Sequence, residues 1–306
     1  MKAVPTGIDG LVVIDKEAGW TSHDVVARCR RIYGQRRIGH AGTLDPDATG
    51  ILLVGLGRAT RLLRYLTERE KSYTCEVVLG STTSTLDASG DVTGTFEMTV
   101  DPEQLELAVT SLTGDIMQIP PMVSSVKIDG KRLHELARQG IEVERPPRPV
   151  TVHELLVTST DDPMVLHMDA TVSSGTYIRV LAADLGVKLG GGAHLRNLRR
   201  YRSGSFSEKS ARTLDQLASD AETARAQGAI PHSVLTPAQA VAHLDQIVVT
   251  TEIATMVSRG LALDKVSLGA TGAGPFAIVD GGGNLLAVYE PTETDRIVPS
   301  VVLAAS

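Results

Sequence analysis

The stretch from Arg36 to Arg64, RRIGHAGTLDPDATGILLVGLGRATRLLR, holds Asp45 in a loop marked by Gly39, Gly42 and Gly50 and followed at once by Pro46. Proline supplies no N–H and biases the residue before it towards an extended conformation, while glycine permits backbone angles that other residues avoid. A loop so constrained is shaped to present a side chain. Ile51 to Leu56 is then an unbroken apolar run that predicts a buried strand, and Arg58, Arg61 and Arg64 recur at helical spacing. The expectation is an acidic residue at a strand mouth beside a basic helix face. Read alone, Asp-Pro among glycines is equally a tight turn in which Asp45 caps a backbone N–H.

Charge constrains the partner. The 306 residues carry a formal net charge of −6, which for the chain as a whole argues against a nucleic-acid ligand. The distribution argues the other way. Residues 11–71 carry 11 Lys/Arg against 7 Asp/Glu and residues 196–212 carry 6 against 1, whereas residues 72–126 carry 8 acids and no base. Basic groups gathered in two stretches of an acidic protein still steer a polyanion, although a charge run is also how a solvated face reads.

The chain in order gives the remaining elements. Leu11 to Ile14 predicts a first strand ending in a turn with Lys16 and Gly19, and Ser22 caps a helix through Tyr33 whose apolar stripe includes Cys29. Lys71 to Gly80 alternates like a half-buried strand, with Tyr73 on the side of Lys71, Cys75 and Val77. Asp87 and Asp91 lie in a polar loop without a metal-ligand pattern. Asp101-Pro102-Glu103 opens a helix, and a further helix is expected at Lys131 to Gln139. Strands near 150–158 and 164–173 precede Gly175-Thr176-Tyr177-Ile178-Arg179 and a helix to Leu189. Arg179 in a first helical turn is unfavourable for the helix dipole and calls for a specific acidic partner. From about Ile247 the pattern changes to short strands, with a GGGN hairpin turn at 281–284.

GHAGTLDPDATGILLVGLGRATR, at 39–61, resembles the central motif of the pseudouridine synthases, specifically the tRNA pseudouridine synthase B family, over a long gapless run. KSY at 71–73 and GTYIR at 175–179 resemble that family's second and third motifs. The resemblance implies isomerisation of a uridine in the T-loop of tRNA, at position 55, with Asp45 as nucleophile. It implies that Arg179 pairs with Asp45, that Tyr73 stacks on the target base, that Tyr177 contacts substrate, that Leu198 lies against the base and that His40 takes the place of the extruded base. Lys16 and Gly19 match a turn that supports the site. Arg199 and Arg200 suit backbone phosphates.

Each of these residues also has an ordinary reading. Lys16 reads as a solvated lysine, Tyr73 as core packing, Arg179 as half of a surface salt bridge, and His40 beside Asp45 as an acid–base dyad. A tRNA-binding or tRNA-folding protein with a structural Asp45 is the competing function, and an aspartate-nucleophile hydrolase is a third, lacking a second carboxylate or metal to activate water. Asp45 has three routes open to it: attack at C1′, attack at C6, or removal of a sugar proton.

The fold expected is α+β, a mixed, mainly antiparallel central sheet flanked by helices, with the catalytic domain at 1–245, an RNA-clamping insert at about 119–148 and a small β-rich PUA-like module at 246–306 that either binds RNA or packs. No Walker loop, dinucleotide fingerprint or HExxH motif is present, so neither cofactor nor metal is expected. The partner expected is the T-arm of tRNA, without a membrane or an obligate protein partner. Two cysteines outside any CxxC pair, no signal-peptide core in MKAVPTGIDGLVVIDK and no apolar run near ~18 residues point to the cytoplasm.

Overall fold

In the computed structural model, Lys71–Leu79 is a strand in which Tyr73, Cys75, Val77 and Leu79 are buried while Thr74, Glu76 and Val78 are partly exposed. This is the period-two pattern of a strand with one face on the core. Residues 7–124, 127–128, 130–133, 136 and 139–303 are described. The chain divides into two units: residues 1–46, 51–67 and 205–306 form the first, and residues 47–50 and 68–204 the second.

In the second unit the strands lie in the order Ala193–Ser203, Lys71–Leu79, Val165–Val172, Arg148–Ser159, Gly114–Gln118, each antiparallel to its neighbour. Thr49 and Gly50 pair in parallel with Arg199 and Arg200, which makes the sheet mixed. That approach requires glycine: Gly50 has φ +97°, and a Cβ there would lie 2.2 Å from the Arg200 carbonyl oxygen. The helix Ile178–Lys188 packs against the Ala193–Ser203 strand and buries Leu181 and Leu185. Pro102–Ser111 is a second helix, capped by Asp101 with proline in its first turn, as the sequence predicts.

The first unit pairs Ile38–Ala41 antiparallel with the latter part of the strand Thr49–Leu56. Its core gathers Leu11, Val13, Ala41, Ile51, Leu53 and Leu66. The helix Ser22–Tyr33 ends at Gly34 in the left-handed conformation. Its cap is Thr21 rather than Ser22: Thr21 Oγ1 accepts from the Asp24 N–H, and the Asp24 carboxylate accepts from the Thr21 N–H, a capping box. Cys29 is a packed core thiol, which burial pushes up to about 12. Further along lies a β-rich C-terminal sheet, in the order Asp245–Val248, Phe276–Val279, Leu285–Pro291, Arg296–Val302, Leu263–Asp264. The fold class is thus α+β with a small β-rich C-terminal part.

Arg58, Arg61 and Arg64 are all exposed, as the basic helix face that their spacing predicts, and each also bonds to the C-terminal segment. Arg58 Nη1 donates to the carbonyl of Leu303, Arg61 Nη1 to that of Val302 at 2.8 Å and Arg64 Nη1 to Ser300 Oγ at 3.1 Å. Between them Ala59, Leu62 and Tyr65 pack into the core of the C-terminal sheet with Val279, Val288 and Val301. The helix is the seat of the last strand.

Candidate active site

The loop carrying Asp45 is held on both sides of that residue. Leu44 has its N–H bonded to Ser22 Oγ at 2.9 Å and its carbonyl accepting from the same hydroxyl at 3.1 Å. The Pro46 carbonyl accepts from Lys16 Nζ and from the Gly19 N–H, each at 2.9 Å. Ser22 and Lys16 are both 1 % exposed. Lys16 is therefore no solvated lysine; its ammonium also donates to the carbonyls of Glu17 and Trp20, at 2.9 and 2.8 Å. A buried cation ringed by carbonyls fixes the backbone that supplies them. Asp45 itself is partly exposed between these two clamps.

His40 lies on the Ile38–Ala41 strand, opposite Val54. Its ring meets the exposed His23 ring edge to face, at 5.5 Å between centroids and 81° between planes. His23 stands in the first turn of the Ser22–Tyr33 helix.

The second unit positions the other expected residues. Tyr73 is opposite Arg200 in the antiparallel register, and the Arg200 guanidinium lies 6.0 Å from the Tyr73 ring centroid. Tyr73 is 7 % exposed and Arg200 1 %. The expectation that Arg200 meets backbone phosphates is thereby corrected, because a guanidinium withdrawn under the sheet is not on the surface that RNA first touches. Arg199 is partly exposed and faces the other way, beside Thr74. Consecutive strand residues point to opposite faces, and two bulges flank this pair. One extra residue between Arg196 and Arg199, and another between Arg200 and Arg202, break the alternation. Asn197 takes φ +55° within the first bulge, and Leu198 follows it, partly exposed. Bulges re-aim side chains, and this one aims Leu198. On the same strand face as Tyr73, Lys71 is buried; burial first, and Arg200 second, pull its ammonium down to about 8.

Tyr177 is the N-cap of the Ile178–Lys188 helix and has no side-chain cap of its own. Gln118, 2 % exposed, replaces one: its Oε1 accepts from the Tyr177 N–H at 2.7 Å and its Nε2 donates to the Tyr177 carbonyl at 3.1 Å. Arg179, in the first turn and 4 % exposed, donates to the carbonyls of Thr85 and Val123 at 2.9 and 2.8 Å. Its Nη1 lies 3.4 Å from the carboxylate of Asp87. The acidic partner demanded by the helix dipole exists, and Asp87 is one. The other carboxylate oxygen of Asp87 accepts from the hydroxyls of Thr85 and Ser89 and from the Ser89 N–H.

Ser22, His23, Asp87, Gln118 and Asn197 were not singled out from the sequence as site residues. Only Asn197 carried a local signal, since asparagine tolerates the left-handed conformation. The expected helix at Lys131 to Gln139, with its RNA-clamping role, falls largely outside the described residues; Lys131–Arg132 pair as a short strand with Lys127–Ile128. Among the described residues no group of three or more His, Cys, Asp or Glu side chains is arranged to hold a metal ion.

The chain matches the model of the TruB family pseudouridylate synthase N-terminal domain over residues 30–178, and that of the tRNA pseudouridylate synthase B C-terminal domain over residues 179–254. It is 42% identical over 304 residues to the tRNA pseudouridine synthase B of Rhodococcus jostii (strain RHA1), covering 96% of this chain and 93% of that one. To the protein of the same name in Streptomyces coelicolor (strain ATCC BAA-471 / A3(2) / M145) it is 44% identical over 292 residues, covering 92% and 93%. Among solved structures, one described as a Cbf5-Nop10-Gar1 complex contains a chain with a TM-score of 0.73 at 28% identity, over 94% of this chain and 79% of that one.

Proposed function

We propose a reaction path for a protein whose family is established: the chain belongs to the TruB family of pseudouridylate synthases. It is a tRNA pseudouridine synthase, an isomerase that turns uridine into pseudouridine. The target is the uridine at position 55, in the T-loop of the T-arm. The reaction breaks the N1–C1′ bond, turns the uracil and forms a C5–C1′ bond; C5 loses a proton and N1 gains one, with no net redox change. The Asp45 carboxylate opens it, by addition at C1′ or C6 or by taking a sugar proton, and so divides one difficult step into easier ones.

The base is stacked inside the T-loop and must be extruded, at a cost of a few kcal/mol. Tyr73 stacks on it, worth ~1–3 kcal/mol, and its hydroxyl relays the proton that leaves C5. His40 fills the vacancy in the loop. Arg179 pairs with Asp45 and keeps it ionised, Tyr177 and Leu198 line the base, Lys16 supports the loop and Arg199 meets phosphate. The catalytic domain is residues 1–245, its insert at about 119–148 clamps the T-arm, and residues 246–306 form a PUA-like module. The enzyme works in the cytoplasm on free tRNA. Among the described residues, no helix is long and apolar enough to cross a membrane.

The observation that carries the reading is the double clamp on Leu44 and Pro46, which fixes the backbone on either side of Asp45 and so supports its role as a positioned nucleophile. Asp45→Asn keeps the shape and removes the nucleophile. On unmodified tRNA it is expected to bind normally and to form no pseudouridine detectable by chemical probing. Normal turnover would hand the function to the competing reading, a tRNA-binding protein.

A further inference from the structure

The second unit contains a groove unrelated to the Asp45, Tyr73 or Arg179 segments. It has a volume of about 740 Å³ and lies between the helix Pro102–Ser111, the segment 98–100 before it and the strand Arg148–Ser159. Met98, Val100, Leu105, Val109, Leu155 and Met164 form its walls, all of them partly exposed. Glu106 and Asp161 stand on its rim.

Two features define what fits it. First, the groove runs along a strand edge. Leu155, Leu156 and Val157 all line it, and consecutive strand residues point to opposite faces, so a groove touching all three lies beside the strand rather than on one face. Gly114–Gln118 pairs with this strand only over Arg148–Val152. Among the described residues, no strand continues that pairing along residues 154–159. An unpaired edge offers a row of backbone donors and acceptors to an incoming chain. Leu156, 62% exposed, sits at that edge. Second, the segments that form the groove are acidic. Residues 72–126 hold eight acids and residues 149–178 four, and neither segment holds a Lys or Arg. Such a surface repels RNA and anionic lipid and attracts cations.

We propose that this groove is a docking site for an extended segment of a partner protein in which apolar and basic residues alternate, added as a strand along residues 154–159. Its apolar side chains fill the groove and its Lys or Arg side chains meet the acidic rim. None of the residues that line it is among those assigned to the isomerase reaction.

The test uses the full chain and three labelled synthetic peptides of equal length, alternating Val/Lys, Val/Glu and Ser/Lys, followed by fluorescence polarisation and amide exchange. Only Val/Lys is expected to bind, with slowed exchange at residues 154–159. Leu105→Arg, in the wall, and the pair Glu106→Lys with Asp161→Lys, on the rim, are each expected to weaken it by about tenfold or more. Both should leave tRNA isomerisation unchanged, which reports an intact fold. Should Leu105→Arg fail to fold, the exposed rim pair still decides. Equal binding of Ser/Lys would reduce the effect to charge alone and overturn the proposal; so would equal binding of Val/Glu, unchanged affinity in the variants, or no protection at 154–159. A dimer of the chain abolished by Leu105→Arg would assign the groove to a second copy and overturn it too.

Discussion

Lys16 Nζ lies 2.9 Å from the carbonyl oxygen of Pro46, thirty residues away in the chain and immediately after Asp45. The ammonium is buried, and its bonds to Glu17, Trp20 and Pro46 tie the first strand's end to the far side of the aspartate loop. Hydrogen bonds to a charged donor contribute about 1.5–3 kcal/mol each, so the side chain is both a fold element and a positioning device.

Lys16→Met is accordingly expected to lower kcat by about tenfold or more while the KM for tRNA changes little, because a loop displaced by even 1 Å loses orientation rather than affinity. Steady-state kinetics on unmodified tRNA, with thermal unfolding run alongside, separates the two roles. A variant that is less stable but turns over at the wild-type rate would confine Lys16 to the fold.

Gln118 gives a sharper test of positioning, since it touches only the Tyr177 backbone in the contacts described above. Gln118→Leu keeps roughly the volume and leaves the partly buried Tyr177 N–H without this partner, at about 1–3 kcal/mol, while the carbonyl keeps the Val180 and Leu181 N–H groups. Urea unfolding should show a loss in that range, and kcat/KM should fall with it. Unchanged stability would mean that water or another side chain takes over the cap.

Asp87 and Arg179 form a pair suited to a double-mutant cycle. Asp87→Asn and Arg179→Lys each weaken the contact, and their effects on kcat/KM are expected to be non-additive by about 0.5–3 kcal/mol, the range for groups in direct contact. Strict additivity would show that Asp87 does not act through Arg179.

Lys71 supplies a pH dependence. Its ammonium is pulled down from the ordinary lysine value of 10.5 to about 8, so between those values the unfolded chain binds more protons than the folded one. Stability from this group therefore rises with pH from about 8 to about 10.5, by at most about 1.4 kcal/mol per unit. Comparing urea midpoints at the two ends for wild type and Lys71→Met tests it: the methionine variant should lose the rise. An equal rise in both would assign the titration to other groups.

What the sequence made legible was local. The glycine and proline pattern around Asp45, the alternation around Tyr73 and the dipole argument for an acidic partner of Arg179 all rest on residues within one turn or strand, and each has its counterpart in the fold. The partners themselves were not legible. Thr21 and Ser22 are both good caps, and only the position of Leu44 decides that Ser22 turns away from the helix. Gln118 reads as any strand glutamine until Tyr177, 59 residues later, is placed against it. Counting charges made Arg199 and Arg200 equivalent, whereas consecutive strand residues point to opposite faces, and the bulge before them decides that Arg200 is the one opposite Tyr73 and buried. The spacing of Arg58, Arg61 and Arg64 marks a basic helix face, and that face is exposed, but nothing in the spacing shows that the same guanidiniums bond to Leu303, Val302 and Ser300.

That last arrangement sets a timetable for synthesis. Arg58 and Leu303 are 245 residues apart. At roughly 5–20 residues per second, about 12–50 s pass between the emergence of one and of the other. Throughout that interval Ala59, Leu62 and Tyr65 have no C-terminal sheet to pack against, although the strand before them has been made. The segment just downstream of Asp45 thus stays an uncovered apolar surface on the ribosome until the strands that carry Val279, Val288 and Val301 have been made.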